Sequence, residues 1–174
     1  NPFWKFIFKL NGTLGYVFSN EQPVPIFERF FVGGIFDVRG FQRNSLGPAL
    51  GIGCNREPGA NQCPFTKGGN KQLVFNVELE FPIIEAVGIR GVVFFDAGNA
   101  FDDNEDLSIV DLRAAAGFGL RWWSPVGPLR FEWGIPLDPK PGEDPIVFEF
   151  TIGNSFYPMP SHEAFPTPFS ESLE

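Results

Sequence analysis

Gln72-Leu73-Val74-Phe75-Asn76-Val77-Glu78-Leu79-Glu80-Phe81 alternates between apolar and polar side chains at every position but Val74. Leu73, Phe75, Val77, Leu79 and Phe81 fall on one face of a strand, and Gln72, Asn76, Glu78 and Glu80 fall on the other. Successive side chains of a strand point to opposite faces, so this spacing predicts a β-strand with one apolar and one charged face. Residues 3–18, 89–101, 112–123, 129–135 and 146–156 repeat the pattern. Their polar sides add Lys9, Asp96, Arg113, Arg121, Arg130, Glu132 and Glu149, while Phe8, Leu10, Phe95, Phe118, Phe131 and Phe148 stand opposite. The fold expected is all-β and antiparallel.

Alternation alone also describes a soluble β-sandwich, and a sandwich adhesin or lectin stays open on that ground. Segment length leans the other way. Most of these segments reach about ten residues, as a tilted transmembrane strand requires, against about 5–6 for strands of soluble proteins. A barrel lumen also accepts the charged face, with the Phe, Leu and Val face turned to lipid. No run of about 18 apolar residues is present, which excludes a transmembrane helix and says nothing against a barrel. Connections alternate between short (82–88, 124–128) and long (19–71, 102–111, 138–145), an asymmetry typical of outer-membrane barrels.

With 22 Phe, 20 Gly and 17 Pro, the composition favours strands and turns over helices. The net charge of −8 argues against a nucleic-acid surface. Cys54 and Cys63 lie close together in a polar Gly/Pro/Asn-rich stretch, a spacing that fits a local disulfide in an oxidising compartment. Two separate thiols are the alternative. The single histidine, His162, is far from both, which argues against zinc. No phosphate loop or metal-ligand pattern is present, so no cofactor, metal or catalytic residue is expected. Glu78 and Glu80 on one face read as lumen lining rather than as an acid pair.

The long connection 19–71 is of a length that usually carries function. It contains Arg29-Phe30-Phe31-Val32-Gly33-Gly34-Ile35-Phe36-Asp37-Val38-Arg39-Gly40-Phe41, in which a cation sits among aromatics and glycines. Glycines permit turns and close approaches that other residues resist, so Arg39 is placed to deliver one guanidinium to one acceptor site. The bland reading is a hairpin loop that happens to hold an arginine.

This run, with Val38-Arg39-Gly40-Phe41 at its end, resembles the sixth extracellular loop of BamA-type outer-membrane assembly factors. Glu78-Leu79-Glu80-Phe81-Pro82, Phe94-Phe95-Asp96-Ala97-Gly98-Asn99 and Ser124-Pro125-Val126-Gly127-Pro128-Leu129 are similar to that family's following strands, in order. Residues 148–156, from Phe148 to Phe156, resemble its closing strand. The resemblance implies a transmembrane antiparallel barrel of 16 strands preceded by POTRA domains, of which residues 1–156 supply strands 11 to 16. Six strands are too few to close a membrane barrel, for which about eight is the minimum, so the chain is expected to be the C-terminal part of a longer polypeptide or a short homologue that assembles with other chains. The loop 19–71 is then extracellular and folded inward. The Pro-rich tail 157–174 is expected to be disordered.

The resemblance further implies that Arg39 pairs in the lumen with Glu80 and Asp96, both on the polar face by alternation. It implies a bacterial outer-membrane protein that folds and inserts other outer-membrane proteins, its clients, together with accessory lipoproteins. The last strand, with Phe148, Phe150, Ile152, Gly153 and Phe156, would form one side of a lateral gate. A TamA-like factor, a TpsB-type secretion pore and a porin-like channel remain alternatives.

Overall fold

The structure, a computed structural model, describes residues 5–19, 24–48, 66–125, 127–140 and 142–153. Cys54, Cys63, Phe156 and the tail 157–174 lie outside the described residues. Six strands follow one another: β1 Ile7–Tyr16, β2 Lys71–Ile84, β3 Ile89–Phe101, β4 Arg113–Ser124, β5 Gly127–Pro136 and β6 Val147–Ile152. They form one sheet in the order β1-β2-β3-β4-β5-β6, every neighbour antiparallel. No helix among the described residues is long and apolar enough to cross a membrane.

The period-two pattern sorts the faces as expected. Phe8, Leu10, Leu14, Phe95, Phe118, Phe148 and Ile152 are exposed on the outer face, whereas Val92, Asp96, Ala115 and Glu132 are almost wholly buried on the inner one. An exposed apolar face of this extent belongs against lipid, not water. Register aligns its aromatics across strands: Phe118 is opposite Trp133, and Trp133 is opposite Phe148. The ring centroids are 5.5 Å and 5.1 Å apart in those two pairs, and Phe131 and Phe150 add a third at 4.9 Å. Directly opposed aromatic pairs are a principal stabilising unit of a sheet.

Several boundaries differ from the alternation. β2 runs through Pro82 to Ile84, with the ladder shifting between those two residues, because proline supplies no N–H and a bulge absorbs the missing rung. β6 stops at Ile152. There Gly153 adopts φ +86°, outside the strand region, although its N–H still reaches the Pro128 carbonyl at 2.8 Å. The connection between β1 and β2 holds a single helical turn, Ile26–Glu28, and two isolated bridges, Phe30 to Gly69 and Val32 to Leu46.

That connection makes the core. The buried apolar cluster joins Val32, Val38, Phe41 and Leu46 of the loop to Val74, Ala100 and Ala115 of the strands. Side chains at 74, 100 and 115 belong to the inner face, so the loop packs against the side of the sheet that also carries the charges. Burial of those apolar groups, at about 25 cal/mol per Å² removed from water, favours a seated loop over one extended into solvent.

Candidate functional site

The bridge between Val32 and Leu46 closes a compact excursion whose turns begin at Gly33 and Gly34. Within it the Gly34 N–H donates to the Val38 carbonyl at 3.2 Å, and the Asn44 N–H donates to the Gly33 carbonyl at 3.2 Å. The excursion carries Arg39 onto the inner face, where its side chain is 3% exposed. Two positions without side chains make this approach possible. Gly40 has φ +88°, and a Cβ there would lie 2.9 Å from the Ala115 Cβ. On β5, a Cβ at Gly134 would lie 2.3 Å from the Gly40 nitrogen. The loop backbone therefore rests directly on the strand backbone, a packing only glycine allows.

Arg39 meets Asp96 with its whole fork. Nε donates to Asp96 Oδ2 at 2.6 Å and Nη2 to Oδ1 at 2.7 Å, while the Arg39 backbone N–H donates to Oδ2 at 3.1 Å. Asn76, opposite Asp96 in the β2–β3 register, donates from Nδ2 to Asp96 Oδ1 at 3.0 Å and to the Asp37 carbonyl at 2.6 Å. The remaining donor, Nη1, reaches Glu78 Oε1 at 2.5 Å and Glu132 Oε2 at 3.3 Å. The Phe94 ring lies against the guanidinium, 3.7 Å from Cζ to centroid. A planar, permanently charged fork fits this combination of bidentate carboxylate and stacked ring; an ammonium does not.

Glu80 is not among the partners of Arg39, contrary to expectation. It is held by Arg121, by Lys9 at 3.2 Å and by Arg90 at 3.5 Å. The reason is register. Asn76 and Asp96 share a rung, Glu78 shares the next with Phe94, and Glu80 shares the one after with Val92. Inner-face residues two apart are about 6.6–6.8 Å from each other, so a guanidinium anchored at Asp96 reaches Glu78 and stops short of Glu80. Phe36 of the loop is 46% exposed, and the ring that steadies the arginine is Phe94.

Arg121 binds the carboxylates to one another. It donates to Glu78 at 2.9 and 3.0 Å, to Glu132 at 2.9 and 3.2 Å, and to Glu80. Arg130 adds bonds to Glu132 at 2.9 and 3.2 Å. Each buried charge thus has opposite charge and hydrogen bonds around it, the condition under which buried ions are tolerated. Glu132 was legible only as a lumen-facing residue by alternation; nothing local marked it as a partner of Arg39. For Arg39, burial works against the cation, but the Asp96 hydrogen bonds and the charges of Asp96, Glu132 and Glu78 outweigh it and raise its pKa.

At the loop rim, Arg113 donates to Glu143 at 3.1 and 2.7 Å and lies 4.9 Å from the Phe41 ring. Lys67 pairs with Asp102. Burial opposes ionisation of Glu143, yet the Arg113 hydrogen bonds, the Lys140 N–H and both cations hold its pKa below the ordinary value. Asp102 is lowered in the same way, burial being outweighed chiefly by Lys67. Asp37 is raised, because burial outweighs the pull of Arg43. Among the described residues no group of His, Cys, Asp and Glu has the arrangement of a metal site. Val38 and Phe41 lie in the core cluster, and Phe148, Phe150 and Ile152 point outward from β6.

Residues 2–156 match the model of the Omp85 superfamily domain. The chain is 35% identical over 146 residues to the outer membrane protein assembly factor BamA of Nitratidesulfovibrio vulgaris, covering 82% of this chain and 17% of that protein. It is 30% identical over 180 residues to BamA of Neisseria meningitidis serogroup B, covering 87% and 22%. The outer envelope protein 80, chloroplastic, of Arabidopsis thaliana is 28% identical over 139 residues, covering 75% and 15%. The chain thus spans under a quarter of the length of the curated relatives it matches.

Proposed function

The chain belongs to the Omp85 superfamily as an outer-membrane β-barrel segment of the BamA type, and from that premise we propose that it serves an assembly factor that folds and inserts other outer-membrane proteins. In this reading residues 1–156 are strands 11 to 16 of a 16-stranded barrel, the loop 19–71 enters the lumen from outside, and 157–174 is an appended tail. The clients are unfolded outer-membrane proteins, and accessory lipoproteins complete the complex. β6 is one side of a lateral gate. A client strand pairs with its exposed backbone edge, since a row of unpaired N–H and C=O groups is a template for strand addition. The protein performs no covalent chemistry.

The observation that carries the reading is the pinned loop. Val32, Val38, Phe41 and Leu46 pack on the inner face, and Arg39 is held by Asp96, Glu78 and Glu132. A loop seated on the inner face narrows the passage that a porin-like channel keeps open, and this supports assembly over conduction. Loop 19–71 acts as an internal brace that holds the lumen face in shape while β6 moves. Leaving a fully buried carboxylate cluster without its cation costs about 3–5 kcal/mol, less where lumen water reaches it.

The full-length protein decides the matter. Arg39→Ala is expected to lower the barrel's thermal stability, to fail to complement a depletion strain and to reduce insertion of a client barrel into liposomes. Wild-type stability and full complementation by Arg39→Ala would overturn the brace. Large single-channel conductance from a wild-type protein that inserts no client would favour a channel.

A further inference from the structure

We propose that Asn76 is a positioning residue that selects the rung of the inner face on which Arg39 seats. The proposal deepens the brace reading above and rests on it.

Charge alone does not choose the seat. Glu78, Glu80, Asp96 and Glu132 are carboxylates on one face, and the pull between a guanidinium and a carboxylate falls off only gradually with distance. Hydrogen-bond chemistry is what distinguishes the rungs. Along the inner face of β2, Val74, Asn76 and Glu78 share rungs with Gly98, Asp96 and Phe94 of β3. Of Val74, Asn76 and Glu78, only Asn76 can donate: valine has no polar group, and an ionised glutamate only accepts.

The loop brings the matching set. Asn76 Nδ2 donates to the Asp37 carbonyl at 2.6 Å, and among the described residues it is the donor that meets this carbonyl. The second N–H of the same amide goes to Asp96 Oδ1 at 3.0 Å, the oxygen that also accepts Arg39 Nη2 at 2.7 Å. Asn76 therefore holds both the carboxylate that binds the arginine and the loop backbone two residues before it. On β1, Asn11 is opposite Asn76 and donates to its Oδ1 at 3.3 Å. The amide cannot turn over without giving up its bonds to Asp37 and Asp96.

The neighbouring rung fixes the same register by shape. A Cβ at Gly98 would lie 2.7 Å from Val38 Cγ2 and 3.0 Å from Val74 Cγ2, so Val38 occupies the space that Gly98 leaves beside Val74. Val38 thus sits on the rung of Val74 and Gly98, and Arg39 on the rung of Asn76 and Asp96. One same-face step toward Glu78 would set the Asp37 carbonyl against another acceptor, and one step the other way would set it against Val74. Either step leaves it without its donor, and a polar group taken from water unpaired is costly.

The test uses the full-length protein in nanodiscs, with spin labels at Phe36 and at Val87. Phe36 is 46% exposed on the loop, and Val87 is 50% exposed in the turn that follows β2. The wild type is expected to give one distance between them. Asn76→Leu keeps the size of the side chain and removes both donors. It is expected to add a second population, shortened by up to about 6.6–6.8 Å as the loop steps toward Glu78. Asn76→Ala is expected to do the same, and Asn11→Leu, the same change on the same rung but away from the loop, to keep the wild-type distance. A single wild-type distance in a folded Asn76→Leu protein overturns the selection. So does a shift in Asn76→Ala without one in Asn76→Leu, which is the mark of a side chain that only fills space, and so does an equal shift in Asn11→Leu. If Asn76→Leu does not fold, a wild-type distance in Asn76→Ala overturns it. Client insertion by the wild type is scored separately, so its absence would remove the assembly reading without altering the distances.

Discussion

Gly134→Ala places a methyl carbon where the loop backbone already is. The added carbon would lie 2.3 Å from the Gly40 nitrogen, 2.4 Å from the Gly40 Cα and 2.9 Å from the Arg39 carbonyl carbon. Non-bonded carbons settle at about 3.5–4.0 Å, so the loop must retreat by about 1 Å or more. These neighbours are backbone atoms and no side chain can swing aside. A retreat of that size breaks the Arg39 N–H contact to Asp96, now 3.1 Å, and stretches the fork at 2.6 and 2.7 Å. Overpacking of this kind costs about 1–3 kcal/mol, and losing one hydrogen bond to a charged group adds about 1.5–3 kcal/mol. Gly12→Ala is the matched control, since its Cβ would meet only Phe75 ring carbons at 3.6 and 3.7 Å on the lipid face. The assay is the unfolding midpoint of the full-length protein in detergent, followed by heat-modifiable gel mobility. A clear drop is expected for Gly134→Ala and none for Gly12→Ala. Equal midpoints for the two variants would refute direct seating of the loop on β5.

Charge substitutions separate the two ends of the network. Glu80→Gln is expected to loosen Arg90, Arg121 and Lys9 while leaving a spin label on the loop as immobile as in wild type, because Arg39 does not touch Glu80. Glu78→Gln is expected to mobilise the same label. At the rim, Glu143 has a folded pKa below its unfolded value of 4.5, so its bond to Arg113 contributes fully above that value. The contribution is lost as pH falls from about 4.5 toward the depressed value, and stability measured across that window should fall less steeply in Glu143→Gln than in wild type.

Period-two alternation was enough to place Glu78, Glu80, Asp96 and Glu132 on one face, because the side-chain period of a strand is a local property. The rung on which Arg39 would settle was not legible. It depends on where a loop distant in sequence comes to rest, and Glu78 and Glu80 look alike until the register with Phe94 and Val92 is known. The seat was hidden for a related reason. The missing side chain of Gly134 acquires meaning only with Gly40 against it. Phe94 stands two positions from Asp96 on the same face, and nothing local marks it as the ring that lies against the guanidinium in place of Phe36. The alternation of Phe148, Phe150 and Ile152 carries on in sequence to Phe156, of which residues 154–156 lie outside the described residues, while the backbone turns at Gly153.

A double-mutant cycle between Arg39→Met and Asp96→Asn, read as unfolding free energy of the full-length protein, addresses the pinned arginine most directly. Bidentate bonds at 2.6 and 2.7 Å between groups 3% and 0% exposed imply strong coupling. Each single variant should cost nearly as much as the pair, with a coupling energy of about 2 kcal/mol or more. Costs that add to within about 0.5 kcal/mol would mean that Arg39 and Asp96 do not hold the loop together.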